Sequence, residues 1–123
     1  MFDHISIGVA DLARTKRFYD AALKPLGYTC LRDGAEMLGY GAKDVALWIG
    51  PAKRPVPADP DSGLHFCFTA PTRQSVDAFH AAALAAGGKD NGRPGIRSDY
   101  SDNYYAAFAI DPDGYRLEAY CGR

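Results

Sequence analysis

No window of this chain approaches the ~18 consecutive apolar residues that a membrane-spanning helix needs, and Met1-Phe2-Asp3-His4 has no basic stretch leading into an apolar one. Export and insertion are therefore not expected, and the cytoplasm is the expected location. Cysteine is scarce: Cys30, Cys67 and Cys121 are an odd set without a close pair, which points to neither a disulfide framework nor a Cys-only zinc site. An excess of charge is also missing, with 14 Lys plus Arg against 15 Asp plus Glu and no basic run interleaved with aromatics. Nucleic acid is thus not an expected partner. What is present is 47% hydrophobic and 24% charged residues over 123 positions, the proportions and length of one globular domain.

A shift of 61 positions lays residues 4–28 on residues 65–89 without a gap. His4 falls on His65, Phe18 on Phe79, Ala21-Ala22-Leu23 on Ala82-Ala83-Leu84, and Gly27 on Gly88. The physical pattern repeats too. Ile5, Ile7 and Val9 alternate with His4, Ser6 and Gly8, and Phe66 and Phe68 alternate with His65, Cys67 and Thr69. That is the period of a strand with one apolar face, so both histidines belong to the opposite face. Asp11 and Thr72 are the expected N-caps of helices over roughly 12–24 and 73–86, their oxygens accepting from unpaired N–H groups. Leu12, Thr15, Phe18, Tyr19, Ala22 and Leu26 mark the apolar stripe of the first helix; Val76, Phe79, Ala83 and Leu84 mark that of the second.

Strands are expected over roughly 27–33, 36–41 and 44–50, then 88–90, 103–110 and 115–121, with an irregular stretch over 91–102. Asp111-Pro112-Asp113-Gly114 has the residue order of a tight turn joining the last two strands. The proline-rich run from Pro51 is expected to link the halves. The expected class is α+β: one domain of two β-α-β-β-β modules, 1–50 and 63–123, joined by a linker over 51–62, their mixed sheets curving into a partial barrel around a concave cleft.

On the closing strand, Leu117 and Ala119 point one way, and Arg116, Glu118 and Tyr120 the other, so Glu118 shares the concave side with His4 and His65. Two imidazoles and a carboxylate on rigid strands suit a divalent metal with positions left for substrate oxygens. The competing reading makes one histidine a hydrogen-bonded core residue and pairs Glu118 with Arg116. Tyr104 and Tyr105 have opposite orientations, so one of them faces the cavity and can donate a hydrogen bond there. Arg93, Arg97, Ser98 and Tyr100 are placed to hold an anionic substrate. Cys67 shares the face of His65 as a small buried residue, a soft ligand or a reactive thiol, and His80 is expected to have a surface or helix-packing role.

The segments FDHISIGVADLARTKRFYDAALKPLGY, GLHFCFTA and YYAAFAIDPDGYRLEAYC together resemble the vicinal oxygen chelate superfamily, which includes glyoxalase I, bleomycin-resistance proteins, fosfomycin-resistance transferases and extradiol dioxygenases. The resemblance spans essentially the whole chain. It implies paired β-α-β-β-β modules, a homodimer, and a divalent metal (zinc, nickel, manganese or iron) on His4, His65 and Glu118. Glyoxalase I usually has a fourth ligand, a glutamate on the last strand of the first module, where this chain has Trp48. That departure favours a three-ligand site, with Trp48 lining the substrate pocket or packing in the core.

The leading expectation is a metal-dependent lyase, isomerase or transferase acting on a small molecule that chelates through adjacent oxygens. Glu118, Tyr104 and Tyr105 are its candidate catalytic groups, and Trp48, Arg97, Ser98 and Tyr100 its candidate substrate contacts. The alternatives are a metal-free protein that sequesters a drug or metabolite, and an extradiol-type dioxygenase. Whether the three ligands come from one chain or from two is open at this point.

Overall fold

The computed structural model describes residues 1–55 and 60–123. The first half runs β1 (Ile5–Val9), α1 (Leu12–Leu23), β2 (Thr29–Asp33), β3 (Leu38–Gly41) and β4 (Leu47–Pro51). The second runs β5 (Phe66–Thr69), α2 (Arg73–Ala85), β6 (Lys89–Ile96), β7 (Tyr105–Ile110) and β8 (Arg116–Cys121). Each half forms a four-stranded sheet, ordered β1-β4-β3-β2 and β5-β8-β7-β6. The first strand of each is parallel to the last, and the other pairs are antiparallel. The fold is thus the expected α+β pair of modules, and the two mixed sheets do not close into one barrel.

Local chemistry explains the elements. Asp11 accepts from the Arg14 N–H at 3.1 Å, and Thr72 and Ser75 form a reciprocal capping box. Both helical segments end on left-handed glycines, Gly27 with φ 90° and Gly87 with φ 101°, one residue before the expected Gly88. Phe18, Tyr19, Ala22 and Leu23 of α1 and Val76, Phe79 and Ala83 of α2 are buried in one core with Val9, Ile49, Leu117 and Ala119. Each large apolar side chain so buried contributes about 1.5–3 kcal/mol. Leu84 departs from expectation: it is 38% exposed, because α1 and the sheet already cover the Val76–Phe79–Ala83 stripe.

Two further expectations change. The strand expected over 88–90 continues to Ile96, so most of the irregular stretch is sheet. β6 is an edge strand with register shifts between Asp90 and Gly92 and between Gly92 and Gly95, which lets Pro94 sit in it without a ladder donor. In the expected linker, Pro51 pairs with Val9 as the end of β4, Pro60–Ser62 form a 3-10 turn, and 56–59 lie outside the described residues.

The modules meet through their helices and through the turn before β8. α1 packs on α2. Asp113 Oδ1 accepts from the Ala10 N–H at 2.9 Å and from Arg14 Nη2 at 3.2 Å, and Oδ2 accepts from the Thr15 hydroxyl at 3.3 Å. Asp111 accepts from the buried Tyr19 hydroxyl at 2.6 Å, and the Tyr115 hydroxyl donates to Gly8 O at 2.7 Å. The turn itself closes through Gly114 N–H to Asp111 O at 2.9 Å.

Candidate active site

Strand alternation packs Phe66 and Phe68 against the core and leaves Cys67 on the other face of β5, with His65 just before the strand. In the sheet Cys67 lies beside Glu118, and Glu118 beside Phe108, so these three form one row across β5, β8 and β7. Glu118 is only 2% exposed, and a carboxylate so buried requires partners. It has them: Oε1 lies 2.9 Å from His65 Nε2, and Oε2 accepts from the Tyr104 hydroxyl at 2.6 Å. The sequence puts Glu118 on the side of His65, and the structure adds that Tyr104 is the tyrosine that reaches it.

Electrostatics fixes the protons. Burial, then the hydrogen bond and charge of Glu118, raise the Tyr104 pKa, so the hydroxyl remains a donor at neutral pH. Desolvation around the Cys67 sulfur, then the Glu118 carboxylate, push its thiol up to about 12. Cys67 is therefore a protonated thiol rather than a thiolate, although the residue is largely exposed.

Around the triad stands a wall of rings. Tyr120 stacks on Tyr104 with centroids 4.1 Å apart, and the exposed Tyr100 meets Tyr104 edge-on at 4.9 Å. The Arg97 guanidinium lies 5.3 Å over the Phe108 ring, which is itself 6.3 Å from the imidazole of His65. The carbonyls of Gly95 and Arg93 hold Arg97 at 3.1 and 2.7 Å. Phe108 and Tyr120 were absent from the expected site, yet counting by twos from Glu118 reaches Tyr120, and the hairpin register reaches Phe108.

Other candidates lie apart from the triad. Tyr105 faces α2, its hydroxyl donating to Asp77 at 2.5 Å and its ring under the Arg73 guanidinium. The two tyrosines have the expected opposite orientations, and Tyr104 is the one on the side of Glu118. Ser98 and Arg93 are exposed. His80 is buried on α2 with Nε2 2.9 Å from Asp90 Oδ1, a helix-to-sheet contact. His4 lies at the start of β1 with Nδ1 2.7 Å from its neighbour Asp3, and among the described residues no three His, Cys, Asp or Glu side chains gather as a metal group within one chain. A cavity of about 690 Å³ opens between the first strands of the modules, with His4, Tyr28, Tyr40, His65 and Cys67 among its walls.

In the first module the equivalent row is Ser6, Trp48 and Gly39. Ser6 matches Cys67 in the repeat, so Trp48 stands where Glu118 stands in the second. A Cβ at Gly39 would come within 2.9 Å of Trp48 Cζ3 and of a Val45 methyl, so the half-buried indole requires glycine beneath it.

The chain matches known proteins over nearly its whole length. The family model for the Glyoxalase/Bleomycin resistance protein/Dioxygenase superfamily matches residues 1–119. The chain belongs to this superfamily. Within it, a glyoxalase/bleomycin resistance protein from Albidiferax ferrireducens T118 is 32% identical with a TM-score of 0.86, each chain covering 98% of the other. Uncharacterized protein YqjT of Bacillus subtilis is 30% identical over 121 residues, 94% of either chain. The genomically encoded fosfomycin resistance protein FosX from Listeria monocytogenes shares the fold, with a TM-score of 0.74 at 15% identity over 100% of this chain and 93% of its own. The glyoxalase superfamily includes metalloenzymes and fosfomycin resistance proteins. Among the described residues, no helix is long and apolar enough to cross a membrane.

Proposed function

We propose that this glyoxalase-superfamily chain is a metal-dependent enzyme, of lyase, isomerase or transferase type, acting on a small substrate that chelates through adjacent oxygens. The observation that carries the reading is the contact of His65 Nε2 with Glu118 Oε1 at 2.9 Å. Ligands of one ion at about 2.1 Å lie about 3 Å apart, so a divalent cation can take the place of the shared proton with little movement of either side chain. The third ligand in this reading is His4 of a second copy, since His4 of the same chain does not join the group. The cation would supply Lewis acidity to the substrate oxygens.

The chain's own groups do the rest. Tyr104 holds a proton at its hydroxyl and donates it to Glu118 or to a substrate oxygen. Glu118, freed from His65, is the base that can accept a substrate proton. Arg97, fixed over Phe108 by two backbone carbonyls, keeps a cation at the rim where it favours an anionic substrate.

Calorimetric titration of the purified protein with zinc, nickel, manganese and ferrous ions tests the reading. Saturable binding of one ion per chain is expected, weakened at least about tenfold in His65→Ala and in Glu118→Gln. A folded protein that binds none of these ions would overturn it and favour metal-free sequestration of the ligand.

A further inference from the structure

We infer that Trp48 makes the substrate an aromatic one: the chelating molecule carries a ring on the carbon next to its metal-binding oxygens, and that ring lies against Trp48. The inference rests on the metal reading above and names the substrate class for the same site.

The two modules present equivalent rows of opposite chemistry. In the second module the row is Cys67, Glu118 and Phe108, with His65 and Tyr104 on the carboxylate. In the first it is Ser6, Trp48 and Gly39, the indole seated on Gly39 against Val45. The same face continues at Gly50, where the thioether of Met37 lies 3.3–3.4 Å from the place a Cβ would take. Met37 is 46% exposed and Trp48 half-buried, so both keep surface for a ligand. Arg32, at the outer end of this row, turns back onto the carbonyl of Leu31.

Placement follows from the register. His4 immediately precedes β1, two residues before Ser6, and Ser6 lies beside Trp48. A rise of about 3.3 Å per residue and a strand spacing of about 4.8 Å put the Trp48 backbone about 8 Å from that of His4. Any assembly in which His4 ligates the metal therefore carries Trp48 to the rim of the coordination sphere. The geometry does not depend on which copy supplies the other two ligands. A carboxylate there would bind the ion; an indole offers a flat apolar surface with a polarisable face instead.

Mandelate and lactate share the hydroxy-carboxylate end and differ in a phenyl against a methyl group, so together they probe the ring alone. Trp48 is the chain's single tryptophan, and its emission reports on this position without any turnover. In zinc-loaded protein, mandelate is expected to bind at least about tenfold more tightly than lactate and to shift the Trp48 emission, with lactate shifting it little. Trp48→Ala is expected to abolish the preference while retaining zinc; Met37→Ala, a milder change, is expected to halve it or more with the emission still readable. If zinc binds but the two acids bind equally, or the preference survives in a folded Trp48→Ala protein, the inference falls and the metal reading stands. If zinc does not bind and mandelate still shifts the emission, the metal reading falls and the aromatic contact stands. If zinc does not bind and neither acid moves the emission, both fall.

Discussion

Asp111 is a buried carboxylate that accepts from Tyr19 O–H and from the N–H groups of Asp113 and Tyr115, and Asp113 binds the start of the first helix. Burial raises its pKa despite those donors. A carboxyl with a raised folded pKa binds its proton more tightly in the native state than in the unfolded chain. Its favourable contribution is therefore greatest at acid pH and is lost as pH rises through the folded value. Two outcomes are expected in urea unfolding. Asp111→Ala destabilises by about 3 kcal/mol, because a buried tyrosine hydroxyl and two N–H groups lose their acceptor. Asp111→Asn, which resembles the protonated acid, costs less, and its deficit against the native protein shrinks between mildly acidic and neutral pH. A deficit that grows over that interval would contradict the assignment.

Among the elements, the strand row under Trp48 is closely packed. Gly39 lies under the indole of Trp48 and against Val45, so Gly39→Ala is expected to cost about 2 kcal/mol of stability, read by thermal unfolding, and to change the Trp48 emission. An unaltered melting temperature and spectrum would show that the indole moves freely. This row also marks where sequence reading succeeds and stops. Caps at Asp11 and Thr72, the Asp-Pro-Asp-Gly turn and the period-two strands are local signals, and the structure has each of them. The facing of Glu118 follows from the same alternation. The contacts of Glu118 with Tyr104 and of Arg97 with Phe108 depend on hairpin register and on the bulges that carry Pro94 into β6, and neither can be counted from periodicity. The contacts of the turn's aspartates with the first module are not legible in the sequence, because turn chemistry alone accounts for both residues and their side-chain partners lie about a hundred positions away.

For the molecule as a whole, the separation of His4 from the His65–Glu118 pair makes one chain half of a site in the proposed reading. Subunit complementation tests this directly. His4→Ala keeps His65 and Glu118, and Glu118→Gln keeps His4, so each variant alone is expected to bind zinc weakly. Refolded together in equal amounts, they should recover about a quarter of the native zinc sites, since half of random dimers are mixed and each of those has one intact site. No recovery in demonstrably mixed dimers would exclude a shared site. The turn before β8 has a consequence at the same scale. In an isolated hairpin, a tetrapeptide like Asp111-Pro112-Asp113-Gly114 is interchangeable with other tight reversals of the chain. Here its two carboxylates also clasp the opposite half of the molecule, so grafting a generic loop in its place would preserve the local bend yet unlatch one repeat from the other.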